Sequence, residues 1–314
     1  SNTIRGVCAA PTLSTGSDRV MSGAPRTIVL GAAGQVGSSL VQQLGENGIG
    51  ITRKDADITN KADLYRVLEE AGPVSALINA AAYTDVERAE SERDLAFAVN
   101  ADAAGWAAAW ASEQHIPFVH YSTDFVFPDG NHDCWLEGDA TSPLNTYGES
   151  KRAGELAVRI ACPESVIIRT SWVYSEQPGN FVHKVLQLAQ SAPSLTMVSD
   201  QVGRPTFAPD LAHAALRIAQ DAALRLSIQG GLLHFSSGRA LSRADFARAI
   251  IDIGVTEGVL SHAVPVVDTT SDQFVTAARR PLHCVLDISQ AEALGVQLGR
   301  WEDSLAISVR AARQ

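Results

Sequence analysis

The stretch RTIVLGAAGQVGSSLVQQLGE, residues 26–46, decides the fold. Arg26 to Leu30 is a short apolar, β-branched run that stops at a glycine, the pattern of a buried strand. From Gly34 to Glu46 the apolar positions recur at helical spacing, with Val36, Leu40, Val41 and Leu44 on one face. Between strand and helix stand Gly31, Gly34 and Gly37. Glycine there permits a tight turn and a close backbone approach, and the helix N-terminus offers free N–H groups and a favourable dipole to a phosphate. As bare spacing the three glycines would equally make a turn that packs a helix on a strand. At the first strand–helix junction of an alternating chain they read as a dinucleotide loop, Gly31 to Gly37 with Gln35 and Val36 inside it.

Outward from this turn the alternation continues. Strands are expected at Ile49–Thr52, Ala76–Asn79, Phe118–Tyr121 and Ser165–Thr170, and helices at Asp63–Glu70, Leu95–Ser112 and Asn145–Ile160. That rhythm predicts an α/β fold, a Rossmann-like doubly wound parallel sheet. After about Trp172 it breaks. Proline and glycine become frequent between Pro178 and Pro209, and helices are expected only at Leu211–Ala223 and Ser242–Asp252. A smaller mixed α/β C-terminal substrate domain is expected there, with some elements returning to the first sheet. No internal repeat is seen.

With 46% hydrophobic and 19% charged residues the chain has globular composition. Its net charge of −10 repels phosphate backbones and anionic lipid, which argues against nucleic-acid and membrane partners. No apolar run reaches spanning length. Cys8, Cys134, Cys162 and Cys284 are scattered, without a CxxC pair, which reads as reduced thiols of a cytoplasmic protein and no metal site. His132 and Cys134 share a loop, but two such residues are ordinarily surface groups. Residues 1–24 read as a disordered tail or an expression remnant, with Met21 a candidate natural start.

About 20 residues past the glycine loop, where an NAD site usually carries an acid, the chain reads Thr52-Arg53-Lys54-Asp55. Arg53 or Lys54 could pair a 2′-phosphate and favour NADPH; read blandly, they are two solvated cations, and Asp55 keeps NADH use open. The expected division is therefore an NADP(H)-binding Rossmann domain over 25–171 and a mainly substrate-binding domain over 172–314. Tyr147 and Lys151 lie four apart on a helix, hence on one face. Reducing a ketone by hydride creates an alkoxide that needs a proton. A tyrosine can supply it, and a neighbouring ammonium is expected to lower its pKa from about 10. Thr123, at the end of a predicted strand, can hydrogen-bond the carbonyl. Each feature alone has an ordinary structural explanation; their order along the chain gives them joint weight.

These residues sit in longer stretches: GAAGQVG at Gly31, DITN at Asp57, INAAAYTDVERAE at Ile78, AVN ending at Asn100 and STDFVF at Ser122. LEGDATSPLNTYGESK from Leu136, RTSWVY at Arg169, GNF at Gly179, DQVGRPT at Asp200 and RRPLHCVLD at Arg279 complete the set. Together they resemble the dTDP-4-dehydrorhamnose reductase family from Arg26 onward. The resemblance implies NADPH-dependent reduction at C4 of a dTDP-linked 4-keto-6-deoxy sugar, giving dTDP-L-rhamnose. It implies Thr123, Tyr147 and Lys151 as the catalytic trio. It places Asp57 and Ile58 near the adenine, Ala80, Ala81 and Tyr83 along the cofactor, and Asn100 in support. Asp124, Phe125, Trp172, Asn180 and Arg280 are implied at the sugar nucleotide. Some members use Mg²⁺ at a subunit contact; no such site is identified in this sequence, and both a monomer and a homodimer are compatible with it.

Three departures bear on the sugar: Phe125 where the family usually has Tyr, Cys284 where it has Ser, and the unusual loop Pro128–Gly138. A reductase of a different keto sugar is thus one alternative. A regulatory binding subunit is another, against which the intact trio argues. A 4,6-dehydratase would carry an Asp-Glu pair after the strand-end Thr, and here Asp124 precedes Phe125. An epimerase would keep NAD bound, and Arg53 and Lys54 lean the other way.

Overall fold

Thr27–Leu30, Gly48–Ile51, Ala76–Asn79, Phe118–Thr123, Val166–Thr170 and Leu232–His234 are strands β1 to β6 of one sheet with spatial order β6-β5-β4-β3-β1-β2. All five pairings are parallel. The computed structural model describes residues 26–130, 133–236, 239–296 and 299–313. The expected tail, with Cys8 and Met21, and His132 lie outside the described residues.

The longer helices are Gln35–Leu44 (α1), Lys61–Glu70 (α2), Ala103–Glu113 (α3), Thr146–Ala161 (α4), Phe181–Ser191 (α5), Ala208–Gln220 (α6), Arg243–Thr256 (α7) and Trp301–Ala311 (α8). The inner strands β1, β3, β4 and β5 bury both faces, which is why they read as continuous apolar runs rather than alternating ones. On one face Ile28, Leu30, Leu77, Phe118 and Ile167 meet Leu64 and Leu68 of α2, Ala104, Ala107 and Trp110 of α3, and Val158 of α4. On the other, Val29, Ile78, Val119, Ile168 and Leu233 meet Leu40 of α1 and Leu211, Ala215 and Ile218 of α6. The chain winds from β1 outward to β2, then returns to β3 on the far side of β1. The crevice at that reversal is where open α/β sheets bind ligands.

A second core joins α5, α7 and α8 through Val182, Val185, Leu186, Phe246, Ile250, Leu305 and Val309, with Tyr174 and Phe207. Beside it the short strands Leu195–Val198 and Val266–Thr269 pair in parallel. Strand β6 and helix α6 come from beyond residue 172 but complete the first sheet and its cover. Among the described residues no helix is long and apolar enough to cross a membrane.

Two expected helices differ. Leu95–Ser112 is a short helix (Arg93–Phe97), a π turn (Ala98–Asp102) and then α3. The wider turn carries Asn100 inward, where its amide bonds the backbone of Tyr83. Leu211–Ala223 starts earlier, at Ala208, and stops at Gln220 because Asp221 caps a new short helix, its carboxylate accepting from Ala223 N and Leu224 N.

Candidate active site

Gly31 has φ +77°, and a Cβ there would lie 2.6 Å from Ala81 Cα. At Gly37 a Cβ would stand 2.1 Å from Gly31 O. These two glycines let the turn close on β3 and on itself. Gly34 is different: it is exposed, caps α1 without any side chain, and a Cβ would meet nothing nearer than Gly31 O at 3.4 Å. No acidic side chain occupies the first turn of α1. The loop therefore presents unblocked N–H groups on an open side, which fits a dinucleotide's pyrophosphate. Val36 faces the core beneath α1, and Gln35 Oε1 accepts from Ser175 Oγ at 3.1 Å, tying the loop to the second core.

Beyond β2, Asp55 turns its carboxylate back onto Thr52 N and Oγ1 (2.8 and 2.7 Å). Those bonds hold it below the usual carboxylate range and occupy the acid that a ribose diol would need. Arg53 and Lys54 are exposed, and among the described residues neither forms a salt bridge. Asp57 is also used locally, accepting from Thr59 N and Oγ1, while Ile58 packs toward Tyr83 and Val99. Ala80 and Ala81 continue β3 past the glycine loop, Ala80 N on Leu30 O and Ala81 N on the Asn79 side chain. The Tyr83 hydroxyl donates to Glu92.

Thr123 ends β4, and its hydroxyl donates to Asp124 Oδ1 at 3.0 Å. Tyr147 lies in the first turn of α4, which Asn145 caps by accepting from Gly148 N. Phe125 stands edge-on to the Tyr147 ring at 5.7 Å. Gly148 allows the approach, since a Cβ there would be 2.2 Å from Phe125 O. One turn on, Lys151 is buried and its ammonium donates to Tyr121 O at 2.6 Å. Burial pushes the lysine down to about 8, against the pull of Glu155. The phenol of Tyr147 moves the other way from the expected lowering by Lys151. Burial pushes it up to about 12, Thr123 pulls it down, and the ammonium is directed at a carbonyl instead. The resting site thus holds a protonated phenol.

Asp124 is 3% exposed, and its Oδ2 has no partner among the described residues. Burial lifts its carboxyl to about 7, with Thr123 and Arg243 opposing. Behind it, Cys284 donates its thiol to Asp124 O at 3.0 Å. In the unusual loop, Trp135 stacks on Phe127 at 4.8 Å in a small core with Val126, Cys284 and Leu286. Cys134 donates to Asp287, and among the described residues no three His, Cys, Asp or Glu side chains gather as a metal site would require.

Asn100 joins these parts. Its Oδ1 accepts from Tyr83 N at 2.8 Å, and its Nδ2 donates to Tyr83 O and to Ser150 Oγ, which donates to Tyr147 O. Two residues that motif reading passed over brace α4 from beneath. Arg169 on β5 is bidentate to Glu155, Nε and Nη2 at 2.7 and 2.8 Å, both groups at most 3% exposed. A glutamate four residues after Lys151 was the signal available in the sequence, but only the fold buries it and makes Arg169 its partner.

Trp172 has φ +47°, an outlier for so large a side chain. Its indole lies against Gly203, where a Cβ would be 2.6 Å from the ring. Arg243 stacks on the same indole, guanidinium to ring centroid 3.6 Å. Asn180 caps α5, accepting from His183 N and donating to Ser175 O and Gln177 O, so its amide is engaged by the fold. Arg280 pairs with Glu87, whose Oε2 also accepts from Ala277 N. The trio thus gathers at the C-terminal ends of the strands near the glycine loop, with Trp172, Arg243 and Arg280 contributed from beyond β5.

Residues 25–313 match the family model described as the RmlD substrate binding domain. The chain is 36% identical over 287 residues to dTDP-4-dehydrorhamnose reductase of Aggregatibacter actinomycetemcomitans, covering 89% of this chain and 97% of that one. It is 33% identical over 283 residues to the spore coat polysaccharide biosynthesis protein SpsK of Bacillus subtilis, covering 89% and 95%. Among solved structures it resembles dTDP-4-dehydrorhamnose reductase from Bacillus anthracis in complex with NADP, with TM-score 0.81 and 31% identity over 90% of this chain and 97% of that one.

Proposed function

The chain belongs to the dTDP-4-dehydrorhamnose reductase family, and from that premise we propose that it reduces the C4 ketone of dTDP-4-dehydrorhamnose to give dTDP-L-rhamnose. It is an NADPH-dependent oxidoreductase. The observation that carries the chemistry is the placement of Thr123, Tyr147 and Lys151 at the C-terminal edge of β4 and the start of α4, on the edge of the sheet that also bears the open glycine turn.

Gly31, Gly34 and Gly37 with the first turn of α1 hold the pyrophosphate, and Ala80 and Ala81 flank the dinucleotide. Arg53 and Lys54 face the 2′-phosphate, supported by the engagement of Asp55 with Thr52, which leaves NADPH the preferred form over NADH. The bound cofactor supplies the hydride that C4 receives. Thr123 and Tyr147 bind the carbonyl oxygen, and their hydrogen bonds strengthen as negative charge develops there. Tyr147 gives its phenolic proton to that oxygen. Lys151 offsets the charge of the resulting phenolate until a solvent proton restores it. Asp124 and Phe125 shape the floor beside Thr123, Trp172 closes the sugar side, and Asn180 fixes the loop leading to it. The unpaired thiols of Cys134, Cys162 and Cys284 fit a reducing compartment, the cytoplasm.

The test is NADPH absorbance with the dTDP-4-keto sugar formed in situ, and NADH in parallel. Sugar-dependent oxidation, faster with NADPH, is expected. NADPH binding without sugar-dependent oxidation would overturn the reading.

A further inference from the structure

An ammonium withdrawn from water needs an opposing charge to stay protonated near neutral pH. Lys151 is 2% exposed, and the group that its side chain reaches, Tyr121 O, is uncharged. The opposing charge comes from Glu155, one turn further along the same buried face of α4. The other titratable groups around the ammonium do not replace it. His120 on β4 is buried and neutral, pushed down by burial and by Lys151 itself. His234 on β6 is pushed down to about 4 by burial, so it too is neutral. Tyr147 keeps its proton. Asp124, past the end of β4, acts on Tyr147 and Arg243.

Glu155 is held both ionised and in place. Burial would raise its carboxyl, and Arg169 outweighs burial to keep it below the usual carboxylate range. Arg169 from β5 grips both oxygens, at 2.7 and 2.8 Å, and Arg152 adds a bond to Oε2 at 2.9 Å. The Arg169 guanidinium is itself fixed by other segments: it lies 4.9 Å from the Phe127 ring centroid, 3.5 Å from His234 Nε2 and 3.4 Å from Glu137 O. Arg159, which also feels Glu155, gives its donors to Pro163 O, Ser165 O and Gly230 O. A free carboxylate four residues from a buried lysine would pair with it directly. That pairing would draw the ammonium off Tyr121 O and away from the phenol. A carboxylate already forked by arginine supplies its field and leaves the ammonium where β4 directs it.

We propose that Glu155, clamped by Arg169, is a positioning residue for the reduction: it keeps the Lys151 ammonium charged without capturing it, and so sets the upper pH limit of the site. The proposal rests on the reductase reading for what Lys151 does, offsetting the phenolate left when Tyr147 gives up its proton. The two partners have opposite effects. Removing the carboxylate strips Lys151 of its support and leaves the nearby guanidinium to repel it. Removing the guanidinium frees the carboxylate, which then holds the lysine more tightly protonated and out of place. A brace alone would behave differently, because loosening α4 from either side would disturb Lys151 in the same sense.

The chain has four lysines, and Lys54, Lys61 and Lys184 are all exposed. NMR of the full chain with isotope-labelled lysine therefore reads the Lys151 titration directly, its signal assigned by its absence from Lys151→Met. The wild-type midpoint should lie at about 8. It should fall to about 6–7 in Glu155→Gln and rise to about 9–10 in Arg169→Met. In Glu155→Gln/Arg169→Met, which loses both charges, it should return to about 8. The alkaline limb of kcat/KM should sit at the same pH as the midpoint in each variant that turns over, with kcat lowered in both single variants. Midpoints within about half a pH unit of wild type, or moving the same way in both single variants, would make the pair a brace and overturn the proposal. Where Glu155→Gln fails to fold, an unraised midpoint in Arg169→Met overturns it by itself. A wild type that reduces no dTDP-linked ketone, with midpoints moving as stated, would sink the reductase reading and leave the charge assignment standing.

Discussion

Gly154→Ala should slow turnover without touching a reacting group. Gly154 lies on α4, one turn beyond Lys151, against the π turn. A Cβ there would stand 2.0 Å from Asn100 O and 3.1 Å from Asn100 C. Ordinary contact begins near 3.4 Å, so the added methyl is too close by about 1.4 Å. Both neighbours are backbone, and no rotamer change relieves the overlap. Either the π turn yields or α4 lifts away, and Asn100 is bonded to both Tyr83 and Ser150. A shift of about 1 Å in Tyr147 and Lys151 costs roughly 10²-fold in kcat, and the overpacking costs about 1–3 kcal/mol of stability. Steady-state NADPH oxidation and denaturant unfolding measure the two. NADPH affinity should change less, because the glycine turn lies on β1 and α1. A variant with kcat within about threefold of wild type and a loss below about 0.5 kcal/mol would refute the claim that α4 is seated by this contact.

Tyr147→Phe should lower kcat by about 10²- to 10⁴-fold while fluorescence titration finds NADPH binding unchanged; near-normal turnover would remove Tyr147 as the proton donor. With Lys151 at about 8, the free-enzyme kcat/KM should fall on the alkaline side near that pH as the ammonium is lost. Lys151→Arg should move this limb beyond the accessible range, and an unmoved limb assigns it to another group. Asp124, raised to about 7, holds its proton more tightly folded than unfolded, so its contribution to stability falls as pH rises from about 4 to about 7. Asp124→Asn should accordingly be more stable than wild type above pH 7, by about 2–4 kcal/mol, and should match it near pH 4 in urea titrations; a constant difference across pH would exclude this linkage. Glu155→Gln leaves Arg169 buried and half-paired and should cost about 3–5 kcal/mol, with Glu155→Gln/Arg169→Met recovering part of it; full wild-type stability of the single variant would count against the pair.

The parallel sheet was legible because its central strands are short apolar runs, β1 stopping at Gly31 and β4 running into Ser122-Thr123-Asp124, and the caps of α2 and α4, Asn60 and Asn145, stand one residue before their helices. What escaped was set by distant partners. An inward Asn100 looks like one polar residue in an Ala-rich helix, and only its bonds to Tyr83, more than a dozen residues away, explain the π turn. The expected effect of Lys151 on Tyr147 also followed from spacing alone. Sharing a helix face brings two side chains near each other, but Tyr121 O from β4 decides where the ammonium points.

The same limit explains why DQVGRPT was recognisable before it was intelligible. Nothing in that run says why Gly203 must be glycine: its φ is unremarkable, and no tight turn requires it. The reason lies on another segment. Trp172 leaves β5 in a left-handed conformation and drives its indole into the space that a Cβ at 203 would fill. Arg243, from a third segment, then covers the ring. Three residues that are separately an oddity, a spacer and a surface-type cation become one wall when the second core docks on the sheet. It follows that Gly203→Ala should act through Trp172. The methyl group must displace an indole that cannot swing away without unstacking Arg243. Loss of sugar-nucleotide affinity with intact NADPH binding is therefore expected, and normal affinity with a shifted indole fluorescence would show that the ring can move without cost to the site.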